Sequence, residues 1–276
     1  MTAGKRVALA LGGGSARGLA HIPMLEAFDE LGIKPAAISG TSIGSVVGGL
    51  YAAGLDAKAI RAYAEEMLSR RSEIFRRIAG SFEGLISLWS PRSPSVVDGV
   101  TLFELLLPPV MRCDFQSLKI PFTAIATDFH AMSEVRLTHG PVIPALAASC
   151  CLPSLFRPVT LASRVLLDGG FVNPTPWDAV ADAAPVVVAV DVTGTTHRDP
   201  EGALPSPVEA WIGATQILFH SVTREKLKSA APTLLVRPLV GEFGTLDFLK
   251  YREIFAAAGP AKDELKCDLA RLLESG

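Results

Sequence analysis

The sequence predicts an α/β protein, a three-layer α/β/α sandwich with a mostly parallel central sheet. Three observations lead there. Over the first sixty residues, short aliphatic runs alternate with helical segments, each strand passing through a glycine turn into a helix. A strand is expected over residues 186–192, which open with the unbroken apolar run 186–190, the pattern of a strand buried on both faces. The chain has 276 residues, 49% apolar and 20% charged, enough to bury a large core. We expect one domain over residues 1–276, with a cap-like insertion around residues 56–110.

Each element has its own warrant. Residues 6–11 read as a buried strand entering a tight turn at Gly12-Gly13-Gly14. Ile22, Leu25, Phe28 and Leu31 recur every three residues, a helix over 19–31 closed by Gly32. A second strand over 36–39 runs into Gly40-Thr41-Ser42-Ile43-Gly44, followed by a small-residue helix to about Ala53. Gly80, Gly84, Pro91, Pro94 and Gly99 break the next stretch, which reads as a cap over the sheet edge. Residues 122–127 and 135–138 look like strands, 143–150 like a helix stopped by Pro153. Residues 165–167 lead into Asp168-Gly169-Gly170. The last strand is expected at 234–237 and a closing helical region at 248–275, with residues 193–207 a loop.

Composition excludes several function classes. A formal net charge of −2 gives no basic field to hold nucleic acid. Cys113, Cys150, Cys151 and Cys267 form no CxxC pair and no Cys/His metal spacing, so neither a metal nor another cofactor is expected. Buried thiols of this kind suit a reducing cytoplasm. The apolar run after Lys5-Arg6 is too short for a signal peptide, and no run reaches the ~18–20 residues of a membrane span. We expect a soluble cytoplasmic protein that touches membrane only peripherally, at the inner surface.

Three segments carry chemistry. Gly40-Thr41-Ser42-Ile43-Gly44 is a G-x-S-x-G pentapeptide between a predicted strand and a predicted helix. That context exposes a serine on a strained turn beside the helix N-terminus, with Gly40 and Gly44 leaving room around it. A capped glycine turn is the plainer reading, and the pentapeptide alone leaves both open. Gly12-Gly13-Gly14 fails the G-x-G-x-x-G dinucleotide spacing and lacks the Lys of a phosphate loop. It meets the looser demands of an oxyanion hole, whose backbone N–H groups need no Cβ in the way; Arg17 would add charge or brace the loop. Asp168 stands at a strand end, with Gly169 and Gly170 leaving space around it; an ordinary turn Asp is the alternative.

In this order the three segments resemble the bacterial patatin-like phospholipase family, over nearly the whole chain. Gly12-Gly13-Gly14-Ser15-Ala16-Arg17-Gly18 is similar to the family's oxyanion block, Gly40-Thr41-Ser42-Ile43-Gly44 to its nucleophile elbow, and Asp168-Gly169-Gly170 to its D-G-[GA] motif. Residues 121–128 and 148–159 also fit, with departures at Ser15 and Ser154, where members often carry glycine. The resemblance implies a Ser42–Asp168 dyad in place of a triad, a Gly-rich oxyanion hole, and lipid esters as substrates. Acyl transfer or thioester hydrolysis on acyl-CoA-type substrates, or a catalytically weak lipid-binding role, are the alternatives. A triad stays open through His197 or His220, which follow Asp168 in the chain. His21 reads as helix packing or loop bracing instead of acid–base work. Arg70, Arg71, Arg76 and Arg77 around Ile74, Phe75 and Ile78 suggest either a lipid-facing basic surface or a solvated helix. Oligomeric state is not readable.

Overall fold

The computed structural model describes residues 5–69, 97–153, 155–193, 204 and 207–274. Eight strands form one mixed sheet: β1 (Val7–Leu11), β2 (Ile38–Thr41), β3 (Phe122–Asp128), β4 (Ser133–Leu137), β5 (Val159–Leu161), β6 (Arg164–Asp168), β7 (Val186–Val190) and β8 (Leu234–Val236). The path runs β5-β6-β3-β2-β1-β7-β8, with β4 attached to β3. From β3 through to β8 every pairing is parallel; β4, β5 and β6 join antiparallel at one end.

Strand periodicity sorts β1 onto two cores. Val7, Leu9 and Leu11 join residues of helices α1 (His21–Glu30), α2 (Ile43–Ala52) and α8 (Gly259–Glu274). Ala8 and Ala10 pack with Trp177, Val180 and Val187, and Leu227 of helix α6 (Pro207–Ser229) borders the same cluster. The sheet is therefore covered on both faces, as the three-layer expectation requires. Helix α3 (Ala57–Ser69) packs on α1, and α4 (Gly99–Leu106) on α5 (Val142–Ser149); α7 (Tyr251–Ala257) lies against the turn after β1.

One feature of the register positions the site. Strand β3 meets β4 along one edge over Ala124–Asp128. Its other edge is shared: β2 occupies it up to the pair Thr41↔Ile125, and β6 takes over at Asp168↔Ala126. Parallel β2 and antiparallel β6 thus run toward each other and meet end to end, opposite consecutive residues of β3. Ser42 follows the end of one strand and Asp168 ends the other.

The structure departs from the expected boundaries where backbone demands are local. Strand β2 extends to Thr41, because Gly40 pairs with Leu11 instead of opening the turn. Residues 15–20 form a 3-10 helix before α1 begins. Strand β5 was not foreseen: its hairpin to β6 turns at Ala162 and Ser163, with φ of 48° and 62°, without the Asn or Gly that usually marks such a turn. The long helix α6 also lacked a clear amphipathic signature, since Trp211, Ile217 and Leu218 are exposed on it. Residues 70–96, including the four arginines and roughly half of the suggested cap, lie outside the described residues, as does His197.

Candidate active site

Ser42 sits between β2 and α2 with φ 53° and ψ −126°, a region that non-glycine residues avoid. Its surroundings hold it there. The Ser42 N–H donates to Ser149 Oγ at 2.9 Å, and its carbonyl accepts from Ser45 Oγ at 2.6 Å and Ser45 N at 2.8 Å. Thr41 Oγ1 donates to the Asn173 carbonyl at 2.7 Å. The flanking glycines are required by close approach. A Cβ on Gly44 would lie 2.2 Å from the Leu11 carbonyl oxygen, and one on Gly40 would lie 2.5 Å from Ser45 Cα.

Asp168 is 2% exposed. Burial raises its carboxyl to about 6, against the downward pull of the hydrogen bond from the Gly170 amide (2.8 Å to Oδ1) and of the nearby Ser42 hydroxyl. Its carbonyl accepts from Thr127 Oγ1 at 2.7 Å, and its N–H donates to Cys151 O at 2.9 Å. Gly169 is packed so tightly that a Cβ would lie 2.3 Å from the Ile125 carbonyl oxygen, while one on Gly170 would meet the Phe219 ring. The Cys150 thiol shares this space. Burial, then the nearby Asp168 charge, hold its pKa well above the usual thiol value, although hydrogen bonds with Ser45 and Ser42 pull the other way. A thiol kept protonated is a poor nucleophile.

The glycine loop comes up beside the serine: a Cβ on Gly13 would lie 3.4 Å from Ser42 Cβ. Its amides are not equally free. Gly12 N–H donates to Val190 O at 2.9 Å and Gly13 N–H to Pro174 O at 2.8 Å, while Ala16 N–H donates to Thr245 O at 3.0 Å. Among the described residues no acceptor meets the amides of Gly14 and Ser15. The expectation that Gly12, Gly13 and Gly14 all serve as donors therefore narrows. Gly12 and Gly13 shape the loop, and Gly14 with Ser15 keeps N–H groups available.

Two buried side chains brace this loop. Arg17 donates through Nε to Phe243 O at 2.7 Å and through Nη1 to Thr193 O, so its guanidinium ties distant segments together. His21 is fully buried, and burial lowers its pKa to about 4. Neutral His21 donates from Nε2 to the Gly12 carbonyl at 2.7 Å, leaving Nδ1 as an acceptor without a partner among the described residues. The peptide between Gly12 and Gly13 is thus clamped at both its carbonyl and its N–H.

Among the described residues, no histidine hydrogen-bonds Ser42 or Asp168, and His220 lies half-buried on α6. Sequence reasoning gave no role to Ser149, Asn173 or Lys226, whose importance depends on partners far away in the chain. No group of His, Cys, Asp or Glu among the described residues could hold a metal ion, and no described helix is long and apolar enough to cross a membrane.

The family model described as patatin-like phospholipase matches residues 9–181. An uncharacterized NTE family protein of Mycobacterium tuberculosis is 35% identical over 238 residues, covering 84% of this chain and 61% of the relative. Lysophospholipase NTE1 of Coccidioides immitis is 32% identical over 277 residues, covering 91% of this chain and 17% of that protein. The chain thus spans about three fifths of the mycobacterial relative and a small part of the fungal one. Among solved structures, VipD from Legionella pneumophila matches 96% of this chain and 67% of its own, at 14% identity and a TM-score of 0.49.

Proposed function

The chain belongs to the patatin-like phospholipase family, and on that premise we propose that it is a serine acyl hydrolase of lipid esters working through Ser42 and Asp168. The observation that carries this reading is the end-to-end meeting of β2 and β6, which sets the Ser42 hydroxyl against a buried carboxylate. Asp168 accepts the Ser42 proton as Oγ attacks the ester carbonyl. A carboxyl near 6 is mostly ionised at pH 7 yet more basic than an ordinary aspartate, and so better suited to the task. The amides of Gly14 and Ser15 receive the oxyanion; losing one such donor typically costs about 10²–10³ in turnover. Asp168 returns the proton to the leaving alcohol, and water then attacks the acyl-serine with the same carboxylate as base.

Lipid as substrate follows from the family and from the lysophospholipase named among the relatives. Peripheral contact with a membrane belongs to the proposal, supported by Trp211, Ile217 and Leu218, three large apolar side chains exposed along α6. A cytoplasmic location fits the four cysteines, all free thiols.

The test is product analysis with a lysophospholipid in mixed micelles, with and without an added alcohol acceptor. Release of free fatty acid by the wild type, lost in Asp168→Asn, is the expected result. Acyl ester formed on the alcohol in place of free acid would assign the serine to transfer, and no turnover of any lipid ester would overturn the reading.

A further inference from the structure

The segment after the Asp168 motif touches every part of the proposed catalytic apparatus. It begins at the motif itself, where Asn173 N–H donates to Gly169 O at 2.9 Å. Its successive carbonyls then reach outward. Asn173 O accepts from Thr41 Oγ1 at 2.7 Å, beside the nucleophile; Pro174 O accepts from Gly13 N–H at 2.8 Å, in the oxyanion loop; Pro176 O accepts from Ser39 Oγ at 2.8 Å, on the nucleophile strand. Base, nucleophile and oxyanion loop are three separate stretches of chain, and these four residues bond to each of them.

What holds the segment is a network of side chains around the buried Asn173, its charged members partly exposed. Asn173 is 2% exposed, and its amide is fully engaged. Its Nδ2 donates to Glu134 Oε2 at 2.5 Å and Asp178 Oδ1 at 2.9 Å, and its Oδ1 accepts from Lys226 Nζ at 2.7 Å. Lys226 also donates to the Thr175 carbonyl at 3.1 Å, pairs with Asp178, and lies 4.0 Å from the centre of the Trp177 ring. Arg136 completes the charge balance by pairing with Glu134 and Asp178. A surface ion pair would contribute little, but here the partly buried Lys226 bonds both the Thr175 carbonyl and the buried Asn173 amide, inside a stretch whose other three carbonyls accept from Thr41, Gly13 and Ser39.

We propose that Asn173 and Lys226 are positioning residues, which set the distances between Asp168, Ser42 and the glycine loop by holding residues 173–176 in place. The proposal rests on the Ser42–Asp168 reading above. Neither side chain touches substrate; both act through backbone carbonyls. Misplacement of reacting groups by about 1 Å can cost on the order of 10²-fold in rate without changing what the pocket binds.

The experiment measures kcat and KM on a soluble p-nitrophenyl ester, and the labelling rate with a fluorophosphonate, for Asn173→Ala, Lys226→Met and Lys226→Arg. We expect kcat and the labelling rate to fall together by about 10- to 100-fold in the first two, with KM within about threefold. Lys226→Arg, which keeps the charge over Trp177 and the pairing with Asp178, recovers part of the loss. Should Asn173→Ala or Lys226→Met fail to fold, Glu134→Ala removes one anchor of the Asn173 amide from a partly exposed position and should show the same split. Folded variants that label at the wild-type rate, or that change only KM, overturn the proposal. Wild type that does not label at Ser42 would instead remove the dyad reading on which it stands.

Discussion

At Asp168 two demands meet. As the proposed base, the residue must be buried to raise its basicity, yet it must be charged to accept a proton, and a pKa of about 6 serves both. The consequence is a pH profile: kcat/KM on a soluble ester should rise through an apparent pKa near 6 and level off above it. The limb should persist in His220→Ala and shift little with temperature, since a carboxyl ionises with little enthalpy and an imidazole does not. Loss of the limb in His220→Ala would transfer the base role to the histidine. The serine, the aspartate and the glycines around them could be read from sequence because each lies in a short contiguous motif. The commitment of the Gly12 and Gly13 amides could not, because their acceptors, Val190 and Pro174, lie more than 150 residues away. Cys150 reads as an ordinary buried thiol; the end of α5, bonded to Ser42 through Ser149 and to Asp168 through the Cys151 carbonyl, brings it beside both residues.

Among the elements, the elbow depends on how closely α2 approaches the end of β1. The Gly44 position abuts backbone, which cannot swing aside, so Gly44→Ala should cost about 3 kcal/mol or more, at the upper end of overpacking effects. Gly213 in α6 has nothing within 4 Å of a built Cβ, and Gly213→Ala should stabilise by about 0.5–1 kcal/mol through helix propensity. Urea unfolding of both variants checks the contrast; equal effects would mean the elbow is looser than described. Elements with strong local signals were found where expected: β1, α2, β3, α5 and β7. The hairpin of β5 and β6 was hidden because Ala162 and Ser163 take up positive φ without glycine. Helix α6 is legible only as an apolar helical stretch around His220, because part of its outward face is apolar. The antiparallel arrival of β6 could not be inferred from motif order, yet it brings Asp168 up to Ser42.

Across the molecule, two buried groups tilt pH stability in opposite directions. His21 has a folded pKa of about 4, below its unfolded value of about 6.5. The unfolded chain therefore takes the proton first, and stability drains away as pH falls from about 6.5 to 4, by roughly 3 kcal/mol. Asp168 has a folded pKa of about 6, above its unfolded value of 3.8, so the folded state takes that proton first. Stability is gained as pH falls from about 6 to 3.8, again by roughly 3 kcal/mol. In wild type these contributions largely cancel. Asp168→Asn removes only the second, so that variant should be more stable than wild type at pH 7 and lose the advantage as pH drops toward 4. Urea midpoints across pH would show it; parallel curves for the two proteins would mean Asp168 is not the strained group. The same burial makes Asp168 costly for the fold and basic enough for catalysis, and the whole account turns on the serine it faces. The most direct test is mass spectrometric mapping of the adduct left by a fluorophosphonate on wild type, Ser42→Ala and His220→Ala. We predict one adduct, on Ser42, in wild type and in His220→Ala, and none in Ser42→Ala. An adduct that persists in Ser42→Ala, or disappears from folded His220→Ala, would contradict a Ser42–Asp168 dyad.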